Sequence, residues 1–168
     1  MNEFKHLVLP VKENMYKLAM ALLKNKEEAN DCLQDVFAKL WENRHKLSEI
    51  LNIEAYAIRI TKNLCLDKLK AEKKFNPIEK HEYYLEYQEA NPYKKLELND
   101  SSAQMQHILE QLPEQQRTVI FLRDVGGYTF EEMEEITGLS LNVLRVTLSR
   151  ARKSARVLYL KLNDYEIR

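Results

Sequence analysis

Between Leu141 and Leu162 the chain carries Arg145, Arg150, Arg152, Lys153, Arg156 and Lys161 without a single acid, a net charge of +6. Such a run on one helix can neutralise phosphates and release their counterions. The residues just before it supply the means of placing that helix. Thr129 is a good N-cap, and Glu132 stands three residues later to close a capping box. Gly138 falls where a first helix must end in a left-handed turn, and Ser140 can cap a second helix. Two short helices around a tight turn, the second one basic, have the layout of a helix-turn-helix, whose second helix enters the major groove of DNA. The same pattern would also suit an ordinary helical hairpin with a solvated basic face.

A second basic segment lies upstream. From Tyr56 to Lys74 the bases Arg59, Lys62, Lys68, Lys70, Lys73 and Lys74 outnumber Asp67 and Glu72, a net of +4. Between the two segments, residues 76–103 carry a net of −3. The whole chain balances 26 basic against 26 acidic side chains, so its distribution of charge, not its total, points to a polyanion touched at two places.

Other chemistries are poorly served. The three glycines all lie between Val125 and Leu139, which leaves no Walker loop or dinucleotide fingerprint. Cys32 and Cys65 lack metal-type spacing and sit among apolar helical residues, as reduced core thiols do. His6, His45, His81 and His107 are scattered singly. No catalytic constellation, metal site or cofactor site is expected. No apolar run approaches a membrane span of roughly 18 residues, and no signal peptide is evident, so a cytoplasmic protein is expected.

Helical periodicity dominates the elements that would position these residues. Tyr16 to Leu23 is apolar at helical spacing, and Asn25 to Glu28 reads as a polar break. From Ala29, the residues Cys32, Leu33, Val36, Phe37, Leu40 and Trp41 recur at three and four, with Asp31, Gln34, Asp35, Lys39 and Glu42 opposite. A further helix is expected over Glu54 to Lys74. Pro77 and Pro92 limit helix in residues 75–100, where Tyr83, Tyr84, Tyr87 and Tyr93 interleave with acids; this reads as a flexible linker. A helix capped by Ser101 or Ser102, another begun at Pro113 and ended at Gly126-Gly127, and the helix-turn-helix complete the chain. The expected fold is all-α: two small helical domains, residues 1–74 and 101–168, joined by a linker at 75–100.

Three segments in this order resemble the extracytoplasmic-function group of sigma-70 family RNA polymerase sigma factors. They are EEANDCLQDVFAKLWENR at 27–44, AYAIRITKNLCLDKLKAEKK at 55–74 and LPEQQRTVIFLRDVGGYTFEEMEEITGLSLNVLRVTLSRARK at 112–153. The resemblance implies an initiation factor, not an enzyme, that binds core RNA polymerase and promoter DNA and is held inactive by an anti-sigma factor. On the first segment it implies that Asp31, Gln34, Asp35 and Trp41 dock on the largest polymerase subunit. On the second, Arg59, Lys62, Lys68 and Lys70, with Lys73 and Lys74, would meet phosphates of the −10 element. Asn63 would present donor and acceptor to a flipped base, or else cap or bridge helices, with the loop at 47–52 as pocket rim. On the third, Arg117, Asn142, Arg145, Ser149, Arg150 and Arg152 would contact the −35 element, Arg152 alternatively bracing the domain through an acid. Some positions depart from the family pattern. Val143 and Val146 stand where Thr and Ser are commoner, and Thr147 replaces a frequent Arg. Glu134 occupies a place usually held by Ala, where its carboxylate must reach solvent or pair with a base such as Arg145 or Arg117.

The resemblance weighs against two rivals. An operator-binding regulator would leave the segment from Ala29 to Arg44 and the upstream basic helix unexplained. A sigma mimic that avoids DNA would have little use for an acid-free basic helix.

Overall fold

A computed structural model of the chain describes residues 2–75 and 101–164, and all regular elements among them are helical. The linker expected at 75–100, with its four tyrosines, lies outside the described residues apart from Phe75. No helix among the described residues is long and apolar enough to cross a membrane.

Four α-helices form the N-terminal half: α1 (Asn2–Val8), α2 (Lys12–Leu23), α3 (Lys26–Glu42) and α4 (Ile53–Phe75). Short 3-10 turns over Leu9–Val11 and Arg44–Glu49 join α1 to α2 and lead from α3 towards α4. Lys24 ends α2 in the left-handed region at φ 59°, its N–H bonded to the Met20 carbonyl. Asn25 then starts α3 at once, its side chain accepting from the N–H groups of Glu27 and Glu28 at 2.8 and 3.2 Å. The apparent polar break is therefore a cap and a first helical turn, with Glu27 and Glu28 placed favourably against the helix dipole. Helix α3 begins at Lys26, ahead of the Ala29 expected from its apolar stripe. That stripe is real: Ala29, Cys32, Leu33, Val36 and Leu40 are buried against α2 and α4. Cys32 and Cys65 meet in this seam as free, buried thiols, Sγ to Sγ 3.4 Å.

The C-terminal half comprises α5 (Ser101–Gln111), α6 (Glu114–Ile120), α7 (Phe130–Thr137) and α8 (Leu141–Asp164). Pro113 takes the N-cap position of α6 rather than its first turn. A π-turn over Phe121–Val125 carries α6 to Gly126, whose N–H reaches back to the Phe121 carbonyl at 2.8 Å. Gly126 has no room for a side chain, because an added Cβ would collide with the Tyr128 ring.

The two halves pack together. Helix α4 lies against α7, and α2 against α5 and α6, so that Leu18, Leu22, Ile58, Val119, Leu122, Met133 and Leu144 belong to one continuous core.

Candidate nucleic-acid interface

The helix-turn-helix is built as its sequence requires. Thr129 and Glu132 form the reciprocal capping box, and Gly138 ends α7 in the left-handed region at φ 73°. Glu134 pairs with neither Arg145 nor Arg117. Its carboxylate accepts the N–H of Leu141 at 2.7 Å and so caps α8, whereas Ser140, the expected cap, reaches Val143 N–H only at 3.5 Å. A carboxylate at this place is a clamp on the entry to the second helix.

Leu144, Thr147, Leu148 and Ala151 face inward from α8. Its outer face exposes Asn142, Val143, Arg145, Val146, Ser149, Arg150 and Lys153. At 3.6 residues per turn, Asn142, Val146, Ser149 and Lys153 run along the middle of that face. Arg145 and Arg156 flank it on one side, Val143 and Arg150 on the other. The Arg145 guanidinium lies 5.7 Å from the centroid of Phe130, which Arg123 also approaches, at 5.0 Å. Arg152 is held differently: it makes a bidentate pair with Asp124 at 2.6 and 2.9 Å. This pair corresponds to the brace, one of the two roles open to it from sequence.

The second basic surface lies on α4. Asn63 and Lys70 are exposed, while Arg59 and Lys62 are half-buried. Partial burial, with Arg59 and Lys70 close by, holds the Lys62 ammonium below the ordinary lysine range. Like charges therefore crowd together here, an arrangement that a bound phosphate would relieve. Lys68 stands apart, 3.6 Å from Glu28 and 3.9 Å from Asp35 of α3. Its expected phosphate contact competes with these acids, and the pairing ties Asp35 of the proposed polymerase face to the DNA-side helix.

On that polymerase face Asp31, Gln34, Asp35 and Trp41 are all exposed. Trp41 is the most restrained, packed edge-on against Phe4 at 5.2 Å with the Arg44 guanidinium 4.6 Å from its ring centroid.

Arg117 is the largest departure from expectation. Only 7% exposed, it donates to the Ala21 and Leu22 carbonyls at 3.4 and 3.2 Å and to those of Glu110 and Leu112 at 3.2 and 2.7 Å. Two of these are C-terminal carbonyls of α2, which have no partner of their own at a helix end. Burial lowers its pKa, opposed by Glu110 and Glu114, and an arginine so placed stays charged. It pins one half of the molecule to the other, and in this arrangement it cannot touch a DNA backbone.

Several residues that sequence did not single out join the same contact. The buried Tyr128 hydroxyl donates to Glu54 at 2.8 Å, Asn14 donates to the same carboxylate oxygen at 3.1 Å, and Gln106 reaches the Met20 carbonyl at 3.3 Å. Asn52 caps α4 through the Ala55 N–H and donates to Glu132 at 3.0 Å. Glu132 thus closes its own capping box with one oxygen and holds the rim of the proposed base pocket with the other.

Two family models match the chain, Sigma-70 region 2 over residues 7–75 and Sigma-70 region 4 over residues 102–154, and together they cover well over half of it. The chain belongs to the sigma-70 family, in its extracytoplasmic-function group. Among its relatives, RNA polymerase sigma factor SigV of Bacillus subtilis is 26% identical over 87% of this chain and 84% of its own length. The extracytoplasmic-function sigma factor SigW of the same organism is 25% identical over 91% and 87%. In fold the chain is similar to the sigma factor RpoE of Bartonella quintana, solved in complex with the anti-sigma factor NepR. That match has a TM-score of 0.77 and 20% identity, and covers 95% of this chain and 98% of the other. The region 2 match spans α2 to α4, with its basic surface, and the region 4 match spans the helix-turn-helix and the basic face of α8 as far as Lys153.

Proposed function

We propose that this sigma factor binds core RNA polymerase and directs it to promoters by contacting their −10 and −35 elements, then helps to melt the DNA near the −10 element. The reading rests above all on two exposed basic surfaces, on α4 and α8, carried by a chain whose total charge is balanced. Charge concentrated in this way serves contact with a polyanion at two sites. Asp31, Gln34, Asp35 and Trp41 of α3 would dock on the polymerase, since an aromatic anchor beside specific polar groups is what interfaces use. Arg59, Lys62 and Lys70 would hold −10 phosphates while the exposed amide of Asn63 receives an unstacked base. Asn142, Arg145, Ser149 and Arg150 would face the −35 element. Catalysis stays with the polymerase, and the factor works in the cytoplasm. An anti-sigma protein, such as the one bound to the related fold, would control it.

Transcription from a pool of bacterial genomic fragments tests this reading. Core polymerase plus the chain should give RNA 5′ ends at a fixed distance downstream of a shared sequence pair, and no start sites beyond those of core enzyme alone would contradict it. On such a promoter, Asn63→Ala should slow opening by roughly tenfold, about the worth of one strong hydrogen-bonded group, with initial binding unchanged. Permanganate reactivity of the melted thymines appearing at the wild-type rate would remove Asn63 from the role.

A further inference from the structure

We propose that Val143 and Val146 are specificity-determining residues that read thymine C5-methyl groups in the major groove. This deepens the reading above and rests on α8 entering the −35 element. Both valines lie on the outer face of α8, 42% and 51% exposed, although the inward face already has Leu144, Leu148 and Ala151 to fill the core. Among the described residues, neither belongs to the core cluster nor to the side chains packed against it. Valine is also a poorer helix former than alanine, because its branched carbon restricts χ1. Two such residues on an exposed helix face therefore cost helix stability without a return in packing.

Their surroundings name the occupant. The face they share exposes Arg145, Arg150, Lys153 and Arg156 and carries no acid, so its partner is a polyanion. In the major groove, a polyanion's apolar feature is the thymine methyl, and aliphatic side chains contact it. The stiffness that makes valine a poor helix residue becomes useful here. With essentially one rotamer open in a helix, its methyls are held in place before contact and lose little freedom on binding.

Position adds to this. Val146 is on the midline of the face, one turn beyond Asn142. An Asn amide suits adenine N6 and N7, and the thymine paired to that adenine presents its methyl in the same groove. Asn142 and Val146 together thus match the two halves of an A·T pair, while Val143, beside Arg150 at the edge, meets a methyl nearer the phosphates. The −35 element of this factor therefore carries thymine at the positions facing Val143 and Val146, on either strand.

Deoxyuridine lacks only the C5-methyl group, which makes the test chemical. With a promoter found as above and the complete holoenzyme, each thymine of the −35 element is replaced singly by uracil and binding is measured. One or two of these replacements should weaken binding about fourfold, the worth of one buried methyl. Val146→Ala or Val143→Ala should lower affinity for thymine DNA to the same level and abolish the corresponding uracil penalty. Both variants keep the fold, since alanine favours the helix, and an unchanged melting temperature verifies it. Equal binding of thymine and uracil DNA at every −35 position, or an undiminished uracil penalty in both variants, overturns the proposal while leaving promoter recognition standing. A holoenzyme that protects no −35 sequence overturns promoter recognition and this proposal together.

Discussion

Arg117→Leu should destabilise the free protein by about 3 kcal/mol, a fall in melting temperature of roughly 10 °C for a chain of this size. The side chain is 7% exposed and serves four carbonyls, two at the C-terminus of α2 and two around the turn between α5 and α6. Leucine fills similar space but leaves those oxygens buried without a donor, each a desolvation cost of about 1–3 kcal/mol that local rearrangement would partly offset. Arg117→Lys should recover only part of the loss, since one ammonium cannot span four carbonyls as a planar guanidinium does. Thermal unfolding without DNA or polymerase is the measurement. A change below about 2 °C in the leucine variant would show that the buried pin contributes little to the free state.

The second large effect is a change of shape. In the structure the two basic surfaces belong to halves joined by one core and by hydrogen bonds from Tyr128, Asn52, Gln106 and Arg117. Promoter elements about 25 base pairs apart lie on the order of 85 Å apart along B-form DNA. Residues 76–100, fully extended, reach at most about 85 Å, so the covalent chain permits that span, but a packed pair of halves does not. If one copy contacts both elements, as proposed, the contact between the halves must open. Fluorophores placed through Lys17→Cys on α2 and Glu135→Cys on α7 would report it, the native Cys32 and Cys65 being buried. Energy transfer should be high in the free protein and collapse when holoenzyme forms on promoter DNA. Transfer that stays high in an initiating complex would contradict two-element recognition by a single copy.

These two effects also mark what sequence can and cannot convey. Capping residues and apolar periodicity act over three to seven residues, so the Thr129–Glu132 box, the Gly138 turn and the stripe from Ala29 to Leu40 were legible. Local pattern misplaced the start of α3, because Asn25 caps a turn composed wholly of polar residues. It also could not show that Glu134 would cap α8, since a carboxylate beside several arginines reads more naturally as an ion-pair partner. The contact between halves was not legible at all. Arg117 reads from sequence as a phosphate ligand, and its bonds to α2 carbonyls, which arrive from residues nearly a hundred positions away in the packed state, were not visible there. Lys68 is similar, its acids Glu28 and Asp35 coming from another helix.

Direct binding to polymerase tests the central claim. The purified chain, mixed with sigma-free bacterial core RNA polymerase and run on a sizing column, should co-elute with the enzyme and be displaced by a housekeeping sigma factor. A folded chain, free of any inhibitor, that elutes alone would contradict the assignment of this protein as a polymerase-bound initiation factor.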